Sequence, residues 1–355
     1  MKELFLSFFI LLFSINSFAE VKVRKVVDDV GFCTKAAQIE KIVELASAAE
    51  KKELKKEAEF LKGKKIIAAI SPHDDHMYAG RVYLYSLPYV ANAKTVIVFG
   101  VTHRKPRLAL KDPKNFIILD DFDEWKSPYS NTKIDKKFRS FLAKNLNPNH
   151  FFISNKAHSL EHSIEAMLAF LKYYNRDVKI LPIMVTTMDF ESLDKISKEL
   201  SSLMVKYIKE NKLVLGKDIS FLISTDTTHY GPDFGDERFG LDENAHKKGT
   251  EQDIYIGKTF LSGIIKKEKL RGYADKVWKE NIYWCGRYTV PFGVLTVSRI
   301  IKDLMGKNIV GYPARYSDSY TTGILPAYNI GIGITAPFSL KHWVGYWSIV
   351  YYIEK

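Results

Sequence analysis

Cysteine is nearly absent: Cys33 and Cys285 are the only two in 355 residues, so the chain can form at most one internal disulfide. There is no internal repeat, no low-complexity tract and no linker-like composition shift, which argues for a single domain over residues 20–355. No segment interleaves basic and aromatic residues, so the formal charge of +12 reads as a solvated surface and no nucleic-acid partner is expected. Beyond the N-terminus no stretch is apolar enough to cross a bilayer.

The N-terminus itself reads as a targeting signal. Lys2 supplies a short charged start, Leu4–Ile15 an apolar run, and Ser17-Phe18-Ala19 a small-x-small cleavage site before Glu20. No cysteine follows that point, so no lipid anchor is expected. Residues 1–19 are expected to be removed and the mature chain to work in the periplasm or outside the cell. In that oxidising setting Cys33 and Cys285 compete between one disulfide and a free thiol at Cys285.

Buried strands are the second signal. Ile66–Ile70 is a short apolar run of the kind a parallel sheet buries on both faces, and Pro72 ends it. Thr95–Phe99 and Ile219–Ser224 read the same way, as does Val178–Met184. Helices are expected over Gln38–Leu61, Lys133–Leu146, Glu161–Tyr174, Phe190–Lys212, Asn244–Lys269 and Phe292–Leu304, with shorter strands at Phe116–Leu119 and Phe151–Ile153. The tail turns β-rich, at Ala314–Ser319, Asn329–Thr335 and Trp343–Ile353. The expected class is α/β, a mixed and largely parallel sheet with helices on both faces.

Titratable residues follow three of the buried runs. His73, Asp74, Asp75 and His76 come after Pro72, His103 after Gly100-Val101-Thr102, and Asp226 and His229 after Ser224. Ligands of open α/β sheets bind at the carboxyl ends of the strands. A lone histidine there ordinarily bonds a loop carbonyl, but two on neighbouring strands shift the balance toward metal ligation. Asp226 three residues before His229 suits either an oriented general base or a turn cap. His158 and His162 are four apart; Ser159 is expected to cap a helix with His162 in its first turn, paired with Glu165. His150, His246 and His342 show no partner in sequence. Cys285, a thiol in a loop beside Gly286, would suit iron, copper or zinc. Gly286 is expected to let the loop approach a metal closely.

Taken together, Ser71-Pro72-His73, Gly100-Val101-Thr102-His103, Glu161-His162-Ser163-Ile164-Glu165, Ser224-Thr225-Asp226-x-x-His229-Tyr230-Gly231 and Cys285-Gly286-Arg287 resemble the Memo family, whose bacterial and archaeal members are called AmmeMemoRadiSam system protein B. These motifs stand in the family's order over roughly residues 64–304. The resemblance implies the class III extradiol dioxygenase-like fold. It implies metal ligation by His73, His103 and Cys285, with Fe(II) foremost and copper or zinc as alternatives. Asp226 and His229 take the catalytic positions. Asp74, Asp75, His76, His162, Glu165 and Arg287 are expected around them, supporting the ligands or touching substrate. Asp74-Asp75-His76 departs from the family's usual Ala-Gly after Pro-His. The family name implies a radical-SAM partner, which an exported chain is expected to lack.

Three functions follow as expectations. The first is a metal-dependent enzyme, redox or hydrolytic, acting on a small-molecule or peptide-like substrate. The second is a binding protein that keeps the metal site without turnover. The third is a zinc deacetylase-like hydrolase, suggested by Pro72-His73-Asp74-Asp75, although the order of Pro and His is reversed.

Overall fold

The computed structural model describes residues 20–327 and 329–355; the expected signal segment, residues 1–19, lies outside the described residues. The centre is four parallel strands in spatial order Lys179–Val185, Thr95–Val101, Ile219–Ser224, Ile66–Ser71, within a 13-stranded mixed sheet. Trp343–Ile353 adds antiparallel to the Ile66 strand, and Ile309–Asp318 pairs antiparallel beyond it. Alternation places Ile97 and Phe99 in one core and Val96 and Val98 in the other. Phe190–Glu210 and Thr289–Met305 pack their apolar stripes on the first face. Ala36–Ala49 and Glu165–Tyr174 cover the second. The fold is the mixed, largely parallel α/β class that the buried runs imply.

Several boundaries differ from the sequence reading, each for a local reason. The Gln38–Leu61 helix is two helices, Ala36–Ala49 and Lys51–Leu61, broken at buried Glu50. The Glu50 carboxylate accepts from Tyr85 Oη at 2.7 Å and Arg315 Nη2 at 2.9 Å, and these tertiary bonds fix the break. Thr132–Ile134 is a strand; the helix begins after Asp135, which caps it by accepting from Phe138 N. The Asn244–Lys269 helix stops at Phe260, Gly263 turns at φ +66°, and a further helix follows over Lys267–Lys279. Asn329–Thr335 is not a strand. Asn329 and Gly331 both take positive φ, which breaks a pleat, and Thr335 N donates to the Asp75 side chain instead of a ladder.

Candidate metal centre

The carboxyl ends of three central strands and one loop meet at a cavity of about 390 Å³ lined by His73, Asp74, His103, His162, Asp226, His229 and Cys285. Donor atoms of His73, His103 and Cys285 all lie within 4.8 Å of one another. His73 is buried, and its Nδ1 stands 2.6 Å from Ser224 Oγ. That hydroxyl already donates to Ser163 O at 2.7 Å, so it accepts from His73 Nδ1–H. The bare lone pair is therefore on Nε2, which faces Cys285 Sγ at 3.4 Å and Asp226 Oδ2 at 3.2 Å. His103 Nδ1 donates to Glu161 Oε1 at 2.7 Å, which likewise leaves Nε2 bare. Fixing one imidazole nitrogen to orient the other is how metal-ligating histidines are held. A lone pair, a sulfur and a carboxylate oxygen converging at this range repel unless protons or a cation lie between them. The donor set fits a first-row metal of the iron, copper or zinc kind.

Glu161 is the partner that sequence reasoning passed over. Burial would raise its carboxyl, but the contact with His103 outweighs this and holds it down at about 2. Its other oxygen accepts His103 N at 2.8 Å, and Ser163 N also binds the carboxylate at 2.8 Å. His103, Glu161 and His162 form a second cluster of donor atoms within 4.8 Å. The Glu161 carboxylate is spent on His103 and Ser163, and His162 Nδ1 is spent on Asp28 Oδ2 at 2.5 Å. Burial opposes the charge on His162, yet the Asp28 hydrogen bond and the Glu161 charge raise it to about 9, which makes this ring a donor at neutral pH.

His162 precedes the helix it was expected to open. Ser159 ends a short helix, Asn155–His158, and the next begins at Glu165. Glu165 does not pair with His162. It accepts from Val27 N at 3.0 Å and Asp28 N at 3.1 Å, and forms an ion pair with Arg24. Asp226 does not orient His229 either. Asp226 Oδ1 accepts His73 N at 2.9 Å, while His229 Nδ1 donates to Thr227 O at 2.9 Å. His229 Nε2 is thus left bare, and burial lowers its pKa, so the ring is a neutral base. Burial and the nearby Asp74 charge push the Asp226 carboxyl up.

His76 lies away from the cavity, with Nδ1 accepting from Cys33 N at 3.0 Å and Nε2 donating to Ala166 O at 2.7 Å. Asp75 faces the tail loop, accepting from Thr335 N at 2.7 Å. Asp74 lines the cavity and accepts from Tyr346 Oη at 2.6 Å. The three histidines without a sequence partner each meet a carboxylate: His150 pairs with Glu199, His246 with Asp318 and His342 with Asp233. His342 also lines the cavity. Both cysteines are free thiols, and Cys33 is buried beside the N-terminal helix. At Gly286 a Cβ would stand 2.4 Å from Thr225 Cβ and 2.9 Å from Ser224 O. The glycine lets the Cys285 loop lie against the strand end.

Asp253 holds the two site loops together. Its buried carboxylate accepts from Thr227 Oγ1 at 2.6 Å, Thr228 Oγ1 at 2.7 Å, Trp284 Nε1 at 2.7 Å and Tyr316 Oη at 3.0 Å. Thr227 and Thr228 precede His229, and Trp284 precedes Cys285. The sequence did carry a signal for it: an aspartate on the same helix stripe as buried Ala245, Gly249 and Ile256 needs partners. Asp253→Asn is expected to cost roughly 2–4 kcal/mol, since buried donors losing an acceptor cost about 1–3 kcal/mol each. Urea unfolding measures it; a loss under about 0.5 kcal/mol, the range of inert surface changes, contradicts this role.

Comparisons with known proteins give the family. The family model described as Memo-like protein matches residues 35–322. A MEMO1 family protein of Methanosarcina barkeri is 30% identical over 184 residues, covering 51% of this chain and 62% of the relative. One from Methanosarcina mazei is 29% identical over 241 residues, 67% of this chain and 75% of the relative. A third, from Sulfurisphaera tokodaii, is 30% identical over 221 residues, 61% of this chain and 66% of the relative. The match thus spans a little under two thirds of the Methanosarcina barkeri relative. With the model match running from the N-terminal helix to the end of the Ile309 strand and beyond, the chain belongs to the Memo family.

Proposed function

We propose that this chain is an exported metal-dependent enzyme, redox or hydrolytic, with His73, His103 and Cys285 as ligands and iron as the foremost metal, ahead of copper and zinc. The observation that carries the reading is the pair of bare Nε2 atoms, each fixed by a hydrogen bond at Nδ1, facing one thiol sulfur. When bound, the metal supplies Lewis acidity and, if redox-active, electron transfer. The chain supplies the rest. His229 accepts a proton at its bare Nε2 while Thr227 O holds Nδ1–H. Asp226 fixes the His73 backbone through Oδ1. Phe32, Phe234, Phe338 and Tyr283 give the cavity apolar walls, suited to a small-molecule or peptide-like substrate carrying an aromatic or aliphatic body.

Export rests on the signal-like residues 1–19, and a chain outside the cytosol works apart from a radical-SAM partner. Among the described residues no helix is long and apolar enough to cross a membrane. One purification tests the reading. Protein taken anaerobically from the periplasmic fraction of its own cell is expected to begin at Glu20 and to hold one first-row metal per chain. The metal-loaded protein is expected to turn over a member of a catechol and peptide panel, and His229→Ala to lose about 10²–10⁴-fold of that rate. Metal without turnover across the panel identifies a binding protein; absence of metal removes the reading.

A further inference from the structure

A second cavity, also of about 390 Å³, lies on the other side of Cys285 and shares His103, Tyr283 and Cys285 with the first. We propose that this second chamber is a subsite for an oxyanion of the substrate, a carboxylate or a phosphate, held chiefly by Arg287. The proposal deepens the metal-enzyme reading by giving its substrate a charged end.

Three arginines line the chamber, Arg104, Arg107 and Arg287, against one carboxylate, Asp112. Asp112 is taken: its Oδ1 accepts from Arg107 Nε at 2.6 Å, which fixes Arg107 without covering both ends of its fork. Arg287 is different. Its guanidinium carbon lies 5.4 Å from the Tyr283 ring centre and 5.5 Å from that of Tyr288. Its backbone is pinned as well, with N donating to Trp284 O at 3.2 Å and O accepting from Trp278 Nε1 at 2.9 Å. Among the described residues its guanidinium makes no hydrogen bond and no ion pair, although the residue is only partly exposed.

A half-buried guanidinium with unspent donors costs solvation energy that an anion can restore. The planar fork matches a carboxylate or phosphate through two parallel bonds, and the Tyr283 and Tyr288 rings flank it within cation–π range. Arg287 is also two residues from Cys285, so an anion bound here stands one short bridge from the atoms of the first chamber. Apolar Val101, Leu108 and Val185 share the wall with Thr102, Thr187 and Thr289, and the Thr187 hydroxyl can add a hydrogen bond to an anion held by Arg287. A substrate with an apolar body in the aromatic chamber and an anion on Arg287 would span both cavities past His103 and Cys285.

The test is calorimetric titration of the chain as purified with benzoate, phenyl phosphate and, as neutral control, benzyl alcohol. The same titrations on His73→Ala remove any anion binding that a metal would contribute. At least one anion is expected to bind ten or more times tighter than benzyl alcohol in both proteins. Arg287→Gln is expected to weaken that anion at least tenfold, and Arg287→Lys to recover part of the loss. The tighter of the two anions assigns carboxylate or phosphate. No preference for either anion, or equal binding by Arg287→Gln that unfolds like wild type, overturns the proposal. Metal content is read on every sample, so the two readings separate. Arg287-dependent anion binding without metal sinks only the metal reading, and metal without anion binding sinks only the chamber.

Discussion

Cys285→Ser is expected to lower metal affinity on the order of 100-fold or more, beyond the 10–100-fold cost of losing an outer partner of a ligand. Cys33→Ser is expected to leave metal content unchanged. The serine keeps the volume of the side chain but stays a neutral hydroxyl near pH 7, so the anionic donor is lost. Without a metal, burial and the Asp226 charge raise the Cys285 thiol. A bound cation reverses that balance, because a coordinating thiol gives up its proton. The loop itself should survive the change, since Asp253 holds Trp284 and Gly286 N donates to Thr225 Oγ1 at 3.0 Å. Metal analysis of wild type and both variants is the measurement. Thiol counting on denatured, unreduced protein complements it, with two free thiols expected. A single disulfide, or equal metal in Cys285→Ser, would remove Cys285 from the site.

Arg24→Met is expected to be the most damaging change to stability, at about 3–5 kcal/mol, the usual cost of breaking a buried ion pair from one side. The Arg24 side chain is fully buried. Its guanidinium lies over the Trp125 ring at 4.1 Å, donates to His158 O at 2.6 Å, and binds Glu161 O and the Glu165 carboxylate. With methionine there, two buried carbonyls lose donors and Glu165 keeps only the amides of Val27 and Asp28. The consequence reaches the site, because Arg24 grips the segment that presents Glu161 to His103. Metal affinity is expected to fall about 10–100-fold. Arg24→Lys retains the charge but not the fork, and should recover only part of both losses. Urea unfolding and metal content measure the two effects. A loss within about 1 kcal/mol, the range of an exposed pair, would show that the contact carries no such load.

The parallel strands were legible because burial on both faces demands unbroken apolar runs, and chains such as Ile219–Ser224 begin and end where the pattern does. The strand-end histidines were legible too, since topology puts the carboxyl ends of parallel strands on one edge whatever the side chains do. The motif order led to the family for the same reason: residues fixed by one chemistry keep their order along the chain. Helix starts near Glu161 were not legible. There the Glu161 and Ser163 side chains reach out to accept from His103 N and Val101 N at a distant strand end, and no local periodicity reports that.

By itself, then, the sequence determined the layered α/β class, the two imidazoles at strand ends and the thiol in a loop; the two strands were expected to be neighbours, but Ile219–Ser224 pairs between them. Local pattern and chain order suffice for those. Only the tertiary structure decided which nitrogen of each histidine is bare, that Asp226 serves His73 and not His229, and that His76 turns away. It alone placed Arg24, Asp28 and the partners of Asp253, and showed the Arg287 guanidinium unpaired among the described residues. Each of these depends on groups far along the chain, and a charged group's role is set by what is folded against it, which composition and spacing do not encode.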